Sequence, residues 1–438
     1  MYVVSLDKEM KHLDFLSPGQ KLKQLRNQLG IKQIELEAIG VSRNYISMIE
    51  SDKRHLNANT LEKLVIFFEN RALELDRDFN IDKAKLALSK KDEARNYCND
   101  RLSSKLNLTE VDEIISICEE YDLIDVQSKA YFEKGNLLYE CKDFDKAIVY
   151  YYNSLESFNV LNDDLSKSYV YYKLGKCKVQ TLCYEDALAY FFKCYFHLDK
   201  NNDKDLYQNC SFNIAVTYKK MGEYDNALLY INKLVKLPYF EDNLNKYIDL
   251  MIIKTNCYIR KNDFNIAINI YNNLITVYGD LLGASLGYIY NNLGLLYLEI
   301  NKIDDSLLYF DKAIAIRERI DESVLCHSII HKSKVYIKLN LYSDAIPLLE
   351  KGITLAKEYF DKEFMLTGYV LLEKIYSDIH EYDKLENIYL SLLSILENTD
   401  YERLINTYIK LSLLYSNIGY SEKCREYLIK AQNISILN

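Results

Sequence analysis

Apolar residues recur at helical spacing along almost the whole chain, and the spacing between helices divides it in two. Near the N-terminus the predicted helices are short. Ser17-Pro18 reads as an N-cap followed by proline at the first helical position, Leu22, Leu25 and Leu29 form one face, and Gly30 ends the helix. A second short helix is predicted from Lys32 to Ala38, with Ile34 available to the core. Gly40 supplies a turn, and Ser42 caps a third helix whose buried positions are Ile46 and Ile49. Asn57 to Thr60 caps a fourth, with Leu61, Leu64, Val65 and Phe68 along its face.

Farther on, the pattern changes to longer helices in pairs with a fixed period. Gly135, Gly175, Ala215, Thr255, Gly294, Ser333, Glu373 and Ser412 mark a mostly small position in the first helix of each pair. Twelve residues after each come Ala147, Ala187, Ala227, Ala267, Ser306, Ala345, Leu385 and Cys424, at steps of 39 or 40. Phe144, Tyr184, Tyr224, Phe264, Ile303, Tyr342 and Tyr382 precede the second position by three. The pattern resembles tetratricopeptide repeats, in which antiparallel helices approach where small side chains meet and an aromatic covers the turn. A period near 40 instead of about 34 makes each helix nearly a turn longer than standard. Eight repeats are recognisable, the last two the weakest, with a degenerate one expected over 80–125. Pro347 falls in the first turn of its helix, where little hydrogen bonding is lost. The fold expected is all-α: a helix-turn-helix bundle over 1–75, then a right-handed tetratricopeptide-repeat superhelix over 76–438.

Composition supports helices: only three prolines and thirteen glycines interrupt 438 residues. The net charge of −9 argues against a surface that coats nucleic acid. Residues 1–75, however, hold 11 Lys and Arg against 10 Asp and Glu, while the remainder holds 44 against 54. Any DNA contact should therefore be made in the N-terminal domain by a few placed residues. Ten cysteines without a CxxC pair read as core residues in a reducing compartment. Asp7, Lys8 and Glu9 break any leader-like apolar stretch, and no run approaches the ~18 apolar residues of a membrane span, so a cytoplasmic location is expected. No phosphate-binding glycine loop or GxSxG is present, and an enzyme is not expected. His327 and His331 have a metal-compatible i,i+4 spacing, but with no third ligand evident they read as surface or interface histidines. No metal or cofactor is expected.

The string IKQIELEAIGVSRNYISMIESDKR resembles the helix-turn-helix of Xre/Cro-type repressors, through Gln33, Glu35-Leu36, Gly40-Val41-Ser42, Tyr45-Ile46-Ser47 and Ile49-Glu50. The stretch from Gln33 to Ser42 is one residue shorter than the commonest family form. In such a domain the third helix presents its N-terminal side chains to base edges. Arg43 and Asn44 occupy its first exposed turn, with Ser47 one turn on and Ser42 as the cap. Arginine suits the guanine edge and asparagine the adenine edge. Lys53 and Arg54 follow the helix where phosphate contacts are expected, and the resemblance places Gln33 against the DNA backbone.

In tetratricopeptide proteins the inner face, lined by the first helix of each pair, receives extended peptides. Counting from the small position puts Asn136, Asn209, Asn213, Lys220, Asn256, Arg260 and Asn291 on or near that face. Amides can pair with a peptide backbone and cations with a terminal carboxylate. The two halves together resemble the RRNPP family of peptide-sensing regulators, and within it the RstA type. The resemblance implies a homodimer on double-stranded DNA, a short signalling peptide in the groove, and control of processes such as sporulation or virulence. Peptide would favour one arrangement of the paired heads over another. The alternative is repeats that sequester a protein partner such as a response regulator.

Overall fold

The first helix begins as its cap chemistry implies. Ser17 accepts from the Gln20 amide through its hydroxyl while the Gln20 side chain returns a bond to the Ser17 amide, and α1 runs Pro18–Gln28. The computed structural model describes residues 15–75, 81–198, 202–237, 244–396 and 401–437; every regular element among them is helical. The N-terminal stretch read above for a leader lies outside them.

The second short helix differs from expectation: it is a 3-10 turn over Gln33–Ile39, closed by Gly40 at φ 76°. A 3-10 helix rises about 2.0 Å per residue against 1.5 Å for α, so tighter winding lets a segment one residue short span its gap. The change of winding also corrects a core assignment. Ile34 is 51% exposed, and Leu36 is buried in its place. Ser42 then caps α2 (Arg43–Glu50), and Asn57 caps α3 (Ala58–Glu74) by accepting from the Thr60 amide. At the crossing of α1 and α2, a methyl group on Gly19 would fall 1.9 Å from the Ile49 carbonyl oxygen, so only glycine fits. Ile81 and Leu86 join the core of this head. Ile81 precedes α4 (Lys83–Ala87) and Leu86 is its buried residue, and Lys21 Nζ donates to the carbonyls of Lys85 and Leu88.

Two compact units divide the chain, Met1–Met221 and Gly222–Asn438. Besides the head, the first contains the pair α5 (Lys90–Leu102) and α6 (Leu108–Glu120) where the degenerate repeat was expected. There follow α7 (Ile124–Glu140) with α8 (Phe144–Leu161), α9 (Asp164–Gln180) with α10 (Tyr184–His197), and α11 (Lys204–Met221). The second unit holds α12 (Tyr224–Val235), α13 (Leu244–Arg260) with α14 (Phe264–Tyr278), and α15 (Ala284–Glu299) with α16 (Ile303–Ile320). It continues through α17 (Leu325–Lys338) with α18 (Tyr342–Glu358), α19 (Lys362–Asp378) with α20 (Tyr382–Leu396), and α21 (Tyr401–Asn417) with α22 (Ser421–Leu437). No described helix is long and apolar enough to cross a membrane.

The small position answers a ring more than a small partner. A methyl group on Gly135 would lie 2.6 Å from the Tyr151 ring, and one on Gly175 would lie 2.5 Å from Phe191. Both rings are fully buried and lie one turn beyond the alanine of their helix. Seven of the ten cysteines are buried, as small core residues would be, and Cys210 Sγ donates to the Phe191 carbonyl at 3.0 Å.

The turn inside each pair also repeats a backbone conformation. Lys142, Leu182, Asn262, Asn301, Asn340 and His380 have φ between 57° and 63°, with Gly222 and Gly419 at the corresponding places. A left-handed conformation costs an ordinary residue about 1–2 kcal/mol, and asparagine tolerates it better. Leu182 is exposed, so its side chain returns little by packing. Leu182→Asn is expected to stabilise the protein by roughly 0.5–1 kcal/mol, read as a higher urea midpoint at unchanged slope. An unchanged or lower midpoint would show that the leucine side chain offsets the strain.

Candidate functional site

The exposed face of α2 is polar at every position singled out. Ser42, Arg43, Asn44 and Ser47 are exposed, as are Lys53 and Arg54 just beyond the helix. The Ser42 hydroxyl accepts from the Tyr45 amide at 3.3 Å, and the Arg43 amide donates to Glu37 Oε1 at 3.3 Å. The start of α2 is thus fixed through its backbone while the Arg43 and Asn44 side chains remain outward. Arg54 lies over the Tyr45 ring, 5.0 Å from its centroid, and Asn57 Nδ2 donates to the Tyr45 hydroxyl. Gln33 is half-buried and spends one amide N–H on Glu50 Oε2 at 2.8 Å. Glu50 in turn forms a buried pair with Arg26, Nε to Oε1 at 2.6 Å and Nη2 to Oε2 at 3.1 Å. Gln33 therefore helps hold the head together, a role its sequence position did not disclose.

In the first unit, the face of α7, α9 and α11 gathers several of the amides expected to meet a peptide. Asn136 accepts from the Tyr151 hydroxyl and donates to Glu133, so its amide is engaged within the chain. Asn213 donates to the Tyr172 hydroxyl at 3.1 Å and to the Asn209 carbonyl at 2.8 Å. Asn209 is half-buried, and its own amide side chain makes no hydrogen bond among the described residues. Beside them stand two lysines that sequence counting missed. Lys173 lies 5.9 Å from the Phe132 ring centre, and Lys176 lies 4.8 Å from that of Tyr139. Neither forms an ion pair among the described residues. Burial pushes the Lys173 ammonium below its ordinary range, with Lys176 adding repulsion, and it pushes the Tyr172 hydroxyl up to about 12. Lys220 is exposed at the end of α11.

In the second unit two of the residues expected to meet a peptide are accessible and a third is not. Asn256 is half-buried, and Arg260 is exposed one turn later on α13. Asn291 does not face solvent: it is 3% exposed, and its Oδ1 meets Ser328 Oγ at 3.2 Å and His331 Nδ1 at 3.0 Å. The period placed Asn291 on the correct face of α15, but α17 covers it. The two histidines are half-buried and engaged within the chain. His331 meets Asn291, and His327 Nε2 lies 2.6 Å from Asp361 Oδ2.

A cleft of about 760 Å³ opens farther along this unit. Its polar lining includes Lys334, Glu363, Thr367, Arg403, Asn406 and Lys410, with Leu366, Val370, Leu392 and Ile409 among the apolar residues. Lys410 pairs with Glu373 at 2.7 Å. Glu373, which stands where most repeats have a small residue, lines the cleft on α19, and Leu392 and Leu396 line it from α20.

Comparison with known proteins agrees with this anatomy. The helix-turn-helix family matches residues 22–75, and tetratricopeptide repeats match 128–158, 209–238, 286–320 and 405–435. Response regulator aspartate phosphatase E of Bacillus subtilis (strain 168) is 23% identical over 271 residues, 57% of this chain and 63% of that protein. The chain thus spans less than two thirds of that relative's length. The quorum sensor NprR from B. thuringiensis, in its apo form, shares 18% identity at a TM-score of 0.48, covering 79% of this chain and 99% of that one. The apo form of RapI shares 18% at 0.46, covering 62% and 100%. The chain carries a helix-turn-helix domain and tetratricopeptide repeats, and the resemblance to RRNPP regulators read from the sequence stands on that pairing.

Proposed function

We propose that this helix-turn-helix and tetratricopeptide-repeat chain is a cytoplasmic transcriptional regulator of the RRNPP type, controlled by a short linear peptide. The observation that carries the reading is α2: its outward side chains include Arg43, Asn44 and Ser47, and its backbone is already anchored. Arg43 and Asn44 read base edges, Ser47 supports them, and Ser42, Lys53, Arg54 and the free part of Gln33 meet the phosphate backbone. One head offers little surface for tight recognition, so two copies pair on neighbouring half-sites. Footprinting with the full chain will locate the operator, and sedimentation will give the assembly. A monomer at micromolar concentration bound to a single half-site would overturn the paired arrangement.

The peptide lies along the inner helices, where an extended backbone needs partners for its own N–H and C=O groups. In the first unit Asn209 offers an unspent amide, Lys173 and Lys176 offer unpaired charge, and Lys220 adds an exposed cation; in the second unit Asn256 and Arg260 offer polar groups of their own. Asn136 and Asn213 shape the face through their tyrosine partners. Asn209→Ala is expected to weaken peptide binding about tenfold, roughly 1.4 kcal/mol, without moving the thermal midpoint. Asn291→Ala is expected to lower the midpoint, because it leaves Ser328 and His331 without their acceptor. Calorimetric titration of both variants with the cognate peptide separates the roles. Unchanged affinity in Asn209→Ala and Lys173→Ala together would move the site.

A second reading rests on the relative named a response regulator aspartate phosphatase. In it the repeats take a response regulator as partner, with or without DNA binding. Faster phosphate loss from an aspartyl-phosphorylated response regulator in the presence of the chain would support it.

A further inference from the structure

Three donor side chains that neither DNA nor peptide recognition uses converge in the second unit. Cys326 and His327 lie in the first turn of α17, and Asp361 caps α19. The sulfur, a ring nitrogen and a carboxylate oxygen all lie within 4.8 Å of one another. The histidine and the aspartate are each oriented by a separate contact. The His327 ring stacks on Phe364 with centroids 3.6 Å apart and planes 12° from parallel. Asp361 Oδ1 accepts from the Phe364 amide at 3.0 Å, which leaves Oδ2 to face His327. Cys326 is fully buried beneath them.

Core packing accounts for a buried cysteine, but not for its convergence with an oriented histidine and carboxylate. From these positions we propose that Cys326, His327 and Asp361 bind a divalent zinc-class ion. Such an ion takes sulfur at about 2.3 Å and nitrogen or oxygen at about 2.0–2.2 Å, so tetrahedral ligands stand roughly 3.3–3.6 Å apart. The His327–Asp361 contact has to open by about 0.7–1 Å and the most distant pair to close by up to about 1.2–1.5 Å, movements within the reach of side-chain rotation. A thiolate, an imidazole and a carboxylate together suit zinc and its late first-row neighbours better than magnesium or calcium.

The protons and charges balance. Binding releases the thiol proton, and the imidazole carries its remaining proton on Nδ1, leaving Nε2 for the metal. The ion, the thiolate and the carboxylate then sum to zero. Arg317 lies nearby, its Nη1 donating to the Val324 carbonyl and the Ser328 hydroxyl at 2.9 Å each. Its charge and the amides that open α17 favour the thiolate, against burial that pushes the Cys326 thiol up to about 11. Burial also keeps His327 neutral, as a ligand must be. The His327 and Asp361 side chains are each 23% exposed, so a fourth, exchangeable position opens to water, as in sites with three protein ligands.

Cobalt(II) titration of the reduced, metal-free full chain tests the site directly. One equivalent per chain is expected, with thiolate-to-cobalt charge-transfer absorption that zinc abolishes by displacement. Cys326→Ser removes that absorption. Asp361→Asn, which keeps a capping oxygen, and His327→Gln each weaken binding at least about tenfold. His331→Gln leaves affinity unchanged, because that ring is turned to Asn291. Zinc raises the thermal midpoint of the parent chain but not that of Asp361→Asn, and the metal-free midpoints show that each variant is folded. A charge-transfer band that survives in Cys326→Ser would assign the metal to other thiols, and no band in the parent chain would remove the site altogether.

Discussion

Replacing Arg26 with alanine is expected to loosen the helix-turn-helix head by about 3–5 kcal/mol, as breaking a buried ion pair on one side does. Arg26 and Glu50 are 8% and 6% exposed, and their two contacts of 2.6 and 3.1 Å join α1 to the end of α2. Arg26 Nη1 also holds the Ile31 carbonyl at 2.6 Å, which fixes the chain as it enters the 3-10 turn. Truncation leaves Glu50 charged and buried with only the Gln33 amide against it, and leaves the Ile31 oxygen without this donor. A loss confined to the head needs a readout at the head itself. Hydrogen exchange of the amides in α1 and α2 isolates the head. Their protection is expected to collapse while that of α13 to α22 holds, and operator binding falls with it. The double change Arg26→Met with Glu50→Leu removes both charges and is expected to recover much of the protection, because an apolar pair of similar volume is often neutral or better. Unchanged protection in Arg26→Ala would mean that the pair contributes nothing net.

What the sequence disclosed follows from how local each feature is. Ser17, Ser42 and Asn57 were legible as caps because a cap bonds an amide three residues away. The eight-fold repeat was legible because the same small position recurs at 39 or 40 residues. Ile34 was misplaced because a change of winding rotates every side chain in the turn. Asn291 was misplaced for a different reason: a period gives the face of a helix, not whether the next helix covers it. Its partners Ser328 and His331 stand 37 and 40 residues away. The pair His327 and Asp361 is separated by 34 residues and has no periodic signature. The cleft escaped notice because it lies where the repeat pattern fades, at Glu373 and Leu385.

Alanine at Arg43 or at Asn44 is expected to lose about 1–3 kcal/mol of operator affinity, each at one base position. Both side chains are exposed on the first turn of α2, and the surrounding structure makes no competing claim on them. The Arg43 backbone is held by Glu37, so truncating the side chain leaves the helix start in place. A guanidinium can donate twice to guanine and an asparagine amide can pair with adenine, so each substitution relaxes preference at its own base rather than weakening all sequences alike. Lys53→Ala supplies the contrast. A phosphate contact carries no sequence information, so its loss weakens every duplex equally and lowers the salt slope by about one. Fluorescence anisotropy with the footprinted operator and single-base variants, at several salt concentrations, reads both effects at once. If the two alanine variants keep parent affinity and base preference, α2 is not the reading element. If they behave like Lys53→Ala, the helix contacts the backbone and sequence is read elsewhere in the head.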